Sequence, residues 1–223
     1  MIKRCFMVLL VFSFVFVFCK NENLTLVCFG DSLMAGYGAV VPKEDDKEKS
    51  VPAFLQSKIN IPVINAGVSG NTTAQGLERI DADVLLRDPG IVIIELGAND
   101  LMQNVPLADT HNNLQKIIDK VNNGKRKIFL VKFYTDEVAR ALITGLFNIS
   151  DYSMQTAIIN QYDDMFELLA SSNNAELISD IWAGVWGIHM SDNMHPNEAG
   201  YKIMADNYFN AIKFYLENNS LVK

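Results

Sequence analysis

Cysteine is scarce in this chain: three among 223 residues. Cys5 and Cys19 fall in the apolar stretch at the front, so Cys28 stands alone in the remainder, and a lone thiol closes no internal disulfide. Histidine is as rare, with His111, His189 and His195. No pair of Cys or His residues has zinc-ligand spacing, so no structural metal site is expected. A basic face is missing too. With 19 Lys and Arg against 26 Asp and Glu, the formal charge is -7, and the phosphate neutralisation that a nucleic-acid partner demands has no basis here. Six Pro and 13 Gly are too few for a collagen-like or low-complexity chain, and 49% hydrophobic residues exclude a disordered one. A chain of this length has room for one domain with a sizeable core.

The apolar residues are unevenly spread. After Lys3 and Arg4, every residue from Cys5 to Cys19 except Ser13 is apolar. A run of this length behind a short basic start suits the core of an export signal better than a spanning helix, which needs about 20 residues. A buried N-terminal strand and an uncleaved anchor are the alternatives. Val17 and Phe18 precede Cys19 where an ordinary signal-peptidase site has small residues. Cys19 followed by Lys20-Asn21-Glu22-Asn23 resembles a bacterial lipoprotein junction, from which Phe18 departs. The expectation is an exported protein, periplasmic or attached to a membrane through its N-terminus, with a leader over 1–19 and one domain over 20–223. Losing Lys3 and Arg4 takes the charge from -7 to -9.

Beyond the leader, short apolar runs alternate with longer patterns of three- and four-residue spacing, which predicts a parallel sheet covered by helices. Strands are expected over Leu24 to Phe29, Val63 to Asn65, Ile91 to Leu96, Ile128 to Phe133 and Ala175 to Ser179. Helices are expected over Val51 to Lys58, Thr73 to Arg87, Asp109 to Asn122, Val138 to Phe147 and Ser153 to Ser172. The last helix is expected over Pro196 to Leu216, with Pro196 in its first turn. Cys28 lies within the first strand and is expected to be a buried, inert thiol. The charged segment Lys43 to Lys49 reads as a solvated loop, or as a lid.

Ligands of such a sheet bind outside the carboxyl ends of its strands, so the residues just after each strand carry the interest. Ser32 follows the first strand, beside Gly30 and Asp31, where its hydroxyl could project at a helix N-terminus; a plain helix cap explains it equally well. Gly67 and Gly70 follow the second, as a ligand-binding turn or a structural one. Asn99 follows the third, as an amide donor or as part of an Asn-Asp turn. Asp192-Asn193-Met194-His195 is more discriminating. A carboxylate three residues before a histidine can hold one ring nitrogen and leave the other facing a site, which is the base and orienter of a triad. His111 lies in a helical pattern and reads as surface, and His189 as a pocket wall or a satisfied, partly buried residue.

These residues resemble the GDSL, or SGNH, hydrolase family. Its four blocks stand in order as FGDSL with Ser32, GVSGNT with Gly70, LGAND with Asn99 and DNMHPN with Asp192 and His195, and the resemblance covers about Leu24 to Leu216. The continuation Ser32-Leu33-Met34-Ala35-Gly36-Tyr37 is similar to the small bacterial exported thioesterase, lysophospholipase and arylesterase type. The resemblance implies a flavodoxin-like three-layer α/β/α sandwich with a five-stranded parallel sheet, no metal and no cofactor. It also implies serine esterase chemistry: Ser32 as nucleophile, His195 as base, Asp192 as orienter. The oxyanion donors would be the N–H groups of Ser32 and Gly70 and the Asn99 amide, while Asp31 and Asp100 would be structural. The segment Tyr134 to His189 is longer than in compact members, which leaves the substrate open.

Leu33, Met102 and Ile188 are expected substrate-binding residues, with Met34, Leu101, Phe133 and Met190 as further candidates for an acyl groove. Such a groove favours fatty acyl esters, thioesters or lysophospholipids. Trp182 and Trp186 would instead favour an acetylated sugar if they were exposed. A binding module without catalysis is the remote alternative.

Overall fold

The computed structural model describes residues 24–223; the leader and the Cys19 junction lie outside the described residues. Within them, five apolar runs form strands β1 (Leu26–Gly30), β2 (Val63–Gly67), β3 (Ile91–Glu95), β4 (Lys127–Val131) and β5 (Glu176–Ile178). All neighbours pair in parallel, in the order β2-β1-β3-β4-β5. Every residue of β1 and β3 is buried, because central parallel strands are covered on both faces and carry unbroken apolar runs. β5, at the edge, is short and begins on an exposed Glu176.

The helices are α1 (Ser32–Ala35), α2 (Val51–Gln56), α3 (Thr73–Asp83), α4 (Ala98–Met102), α5 (Leu107–Val121), α6 (Asp136–Phe147), α7 (Tyr152–Ser172) and α8 (Glu198–Asn218). Helix α2 packs on α8, while α3 packs on α5 and α5 on α7, which gives a layer on each side of the sheet. Residues such as Ile80 of α3, Leu114 and Ile118 of α5, and Ile212 of α8 are fully buried, each contributing about 1.5–3 kcal/mol by leaving water. The result is the expected flavodoxin-like three-layer sandwich. Chain order reverses direction between β1 and its neighbours β2 and β3, so a crevice opens at the carboxyl ends of these strands.

Some boundaries differ from expectation for local reasons. Helix α3 stops at Asp83, and Leu85–Arg87 forms a separate 3-10 turn. Pro89 disfavours a helical Asp88, which takes φ 44° instead. Helix α8 does not begin on Pro196. Asn197 caps it, accepting the Gly200 N–H at 3.0 Å, and asparagine is among the best cap residues. Pro196 is left outside, bridged to Met190. Cys28 is buried, and burial pushes its thiol well above the ordinary range, as suits an inert core residue.

Candidate active site

The first loop is organised by Asp31. Its carboxylate accepts the Leu33 N–H at 3.1 Å, capping α1 and making Ser32 the first helical residue. Ser32 Oγ lies 3.1 Å from His195 Nε2. On the other side of the ring, His195 Nδ1 is 3.1 Å from both Asp192 oxygens. The three-residue spacing closes because Asp192 Oδ1 also accepts the backbone N–H groups of Met194 at 2.8 Å and His195 at 2.7 Å, an Asx turn built into the loop before α8. Partial burial raises the Asp192 carboxyl, but those two N–H groups and the imidazole outweigh it and hold the group down to about 2. Asp192 is therefore ionised near neutral pH. Lys43, from the charged loop, adds a further contact to Asp192 Oδ2 at 3.4 Å, so this loop touches the site as well as solvent.

Gly70 adopts φ 80° in the turn after β2, a conformation that a side chain would strain. Neither its N–H nor that of Ser32 donates to another backbone carbonyl among the described residues. Asn99, at the start of α4, is buried, and its amide donates to Asp31 Oδ2 at 2.9 Å and to the Asn71 carbonyl at 3.1 Å. Both amide hydrogens are thus engaged, and Asn99 can serve an oxyanion only by exchanging one of these partners.

Asp100 is fully buried and accepts the Thr73 N–H at 2.8 Å and the Thr110 hydroxyl at 3.3 Å, tying α3, α4 and α5 together. His111 is half-buried on α5. His189 is also half-buried and lines neither cavity at the site; its carbonyl accepts the Asn197 N–H at 2.9 Å. Sequence reasoning missed Tyr37, whose ring meets the His195 imidazole edge-on at 4.7 Å. Tyr201 of α8 donates its hydroxyl to the Tyr37 carbonyl at 2.7 Å. The only signal was the place of Tyr37 just past the first block.

A slot of about 40 Å³ sits against Ser32 and His195, with walls from Leu33, Met102, Phe133, Val138, Leu142 and Trp182, among others. It adjoins a trough of about 660 Å³ running along α6, and Leu142, Trp186 and Met194 line both. Leu33, Met102 and Phe133 therefore line the slot beside Ser32, and Met190 lines the trough. Ile188 does not. It is 71% exposed and lines neither cavity, because the turn around Gly184 and Gly187, both at positive φ, swings it outward. Met34 is core, fully buried, and Leu101 is buried on α4. Trp182 is no open stacking platform: it is 5% exposed, donates Nε1 to the Phe133 carbonyl at 2.7 Å, and meets Trp186 edge-on. These tryptophans lie in consecutive turns rather than on a helix.

The strand order, the serine at the end of β1 and the Asp-x-x-His loop before α8 define the class as an SGNH-type hydrolase on a three-layer sandwich. A sequence model of the GDSL-like lipase/acylhydrolase family matches residues 28–203, and the chain belongs to that family. It is 32% identical over 129 residues to an arylesterase of Vibrio mimicus, a match covering 54% of this chain and 62% of that protein. To the esterase TesA of Pseudomonas aeruginosa it is 26% identical over 197 residues, 85% of this chain and 88% of that one. Among solved structures, the esterase EstA of a Pseudoalteromonas species, inhibited by monoethylphosphonate, superposes with a TM-score of 0.68 at 24% identity. That superposition covers 88% of this chain and 100% of the other, and shows the shared fold.

Proposed function

We propose that the protein is a serine esterase that hydrolyses carboxylic esters or thioesters through an acyl-enzyme. The observation that carries this reading is the continuous chain Ser32 Oγ, His195 and Asp192, with links of 3.1 Å, at the end of an apolar slot. His195 Nε2 takes the Ser32 proton as Oγ bonds to the acyl carbon. The imidazolium, held by Asp192, then protonates the leaving alcohol or thiol as its bond breaks. Water, deprotonated by the same nitrogen, releases the acid. Charge on the carbonyl oxygen is met by the N–H groups of Ser32 and Gly70, and by Asn99 once it gives up the Asn71 carbonyl or Asp31.

The substrate reading is an acyl chain that enters the slot and continues past Leu142 into the trough along α6, as in a fatty acyl ester, a thioester or a lysophospholipid. A second reading, carbohydrate O-acetylesterase, is favoured by the small size of the slot. The basic and apolar leader over residues 1–19 supports an exported protein, held at a membrane if Cys19 is lipidated. A series of acyl esters and thioesters of rising chain length, run beside acetylated sugars, tests the substrate. Specificity, kcat/KM, is expected to rise about tenfold or more from acetyl to hexanoyl as methylenes are buried. A maximum at acetyl on sugar esters supports the second reading instead.

A further inference from the structure

Glu95 ends β3 and pairs in register with Gly30, immediately before Asp31 and Ser32. It is fully buried and takes no part in the chemistry above. Its Oε2 accepts the Asp31 backbone N–H at 3.4 Å, which sets the Glu95 carboxyl beside Asp31. Its Oε1 has no partner among the described residues. The packing is close: a Cβ added to Gly30 would stand 2.7 Å from Oε2. A buried carboxylate oxygen with no donor is costly to leave ionised, whereas a proton turns an acceptor into a donor and closes the account.

Asp31 sits between this acid and the site. Its Oδ1 accepts the Ser32 hydroxyl at 3.4 Å as well as the Leu33 N–H, and its Oδ2 accepts the Asn99 amide. One carboxylate therefore touches both the proposed nucleophile and a proposed oxyanion donor. The other groups facing the pair are Cys28 from β1, Tyr201 and Tyr208 from α8, and His195 from the loop before it. Arg79 from α3 donates to the Gly30 carbonyl at 2.8 Å.

We propose that Glu95 is held as the neutral acid and donates its proton in a hydrogen bond to Asp31, and that through Asp31 it positions Ser32 and Asn99. Burial lifts both carboxyls, Asp31 to about 6, and the Asp31 charge adds to the burial that carries Glu95 well above the ordinary range. Two like charges this close do not both ionise. A single charge on Asp31 orients its partners. A second would oppose the oxyanion forming above it. Glu95 touches neither substrate nor reacting atoms, so its role is positioning.

The test uses Glu95→Met, which keeps length without the acid, and Glu95→Gln, which keeps a neutral donor, with thermal melts to fix an assay temperature at which each is folded. The infrared spectrum of the wild type near neutral pH is expected to show the carbonyl stretch of a buried protonated carboxylic acid, lost in both variants. On a p-nitrophenyl ester, Glu95→Met is expected to lower kcat roughly ten- to hundredfold with KM within about threefold, and Glu95→Gln to recover most of that loss. The kinetic part rests on the esterase reading. If the wild type hydrolyses no ester, that reading fails, while the infrared band still decides the state of Glu95. Absence of the band in the wild type, its persistence in Glu95→Gln, an undiminished kcat in folded Glu95→Met, or no recovery in Glu95→Gln would each overturn the proposal. Should Glu95→Met not fold, the band and the kcat of Glu95→Gln carry the decision.

Discussion

The loops at the carboxyl edge of the sheet and the segment from residue 134 to 189 draw on different contacts to face the site. In the loops, a side chain fixes the backbone two or three residues away: Asp31 on Leu33, Thr72 on Gln75, Asp192 on Met194 and His195, Asn197 on Gly200. The segment from 134 to 189 has caps of the same kind at Thr135 and Asp151, but its wall toward the slot is held by packing across long sequence distances, with Trp182 on Phe133 and Phe133 on Tyr162 and Phe166. The difference teaches that the backbone around Ser32 and around His195 is set locally, whereas the shape of the space they face is set by tertiary contact.

Substitutions sharpen that contrast, starting with the local devices. Asp192→Asn retains an oxygen for the Met194 and His195 N–H groups but loses the charge opposite His195, and is expected to cut kcat about 10⁴-fold with the melting temperature little changed. A variant within tenfold of wild type would remove Asp192 from the mechanism. Asn99→Ala is expected to cost about 10²–10³ in kcat. A smaller loss would mean that Asn99 stays with Asp31 and Asn71 throughout turnover.

The other side of the comparison predicts selective, milder effects. Leu142→Trp, at the junction of slot and trough, is expected to lower kcat/KM for long acyl esters about tenfold relative to acetyl esters. Equal loss on all chain lengths would place the acyl path elsewhere. Ile188→Ser, at an exposed position off both cavities, is expected to leave kcat/KM within about twofold on every ester, as surface changes usually do.

The same contrast explains what was legible in the sequence. Strands β1 and β3 could be read because the unbroken apolar runs Leu26 to Phe29 and Ile91 to Ile94, beside turn signals, have few uses other than a buried parallel sheet. Ser32 drew attention because it lies just past β1, Asp192 and His195 because they stand three residues apart just before α8, and the family resemblance joined the three. Tyr37, Met194 and Leu142 could not, since nothing local marks which apolar or aromatic side chain turns toward the serine. Ile188 was misplaced for that reason: its apolar character carried the expectation, and the conformation of the glycine turn around it decided the outcome. Glu95 also escaped notice, because within the strand expected over Ile91 to Leu96 a lone carboxylate carries no sign of its burial.

The central claim is that Ser32 is an activated nucleophile, and labelling with a fluorophosphonate tests it most directly. Wild-type protein is expected to take up one label per chain, mapped by mass spectrometry to Ser32, and folded Ser32→Ala none. Label on another serine, or a folded wild type that takes none, would contradict the account.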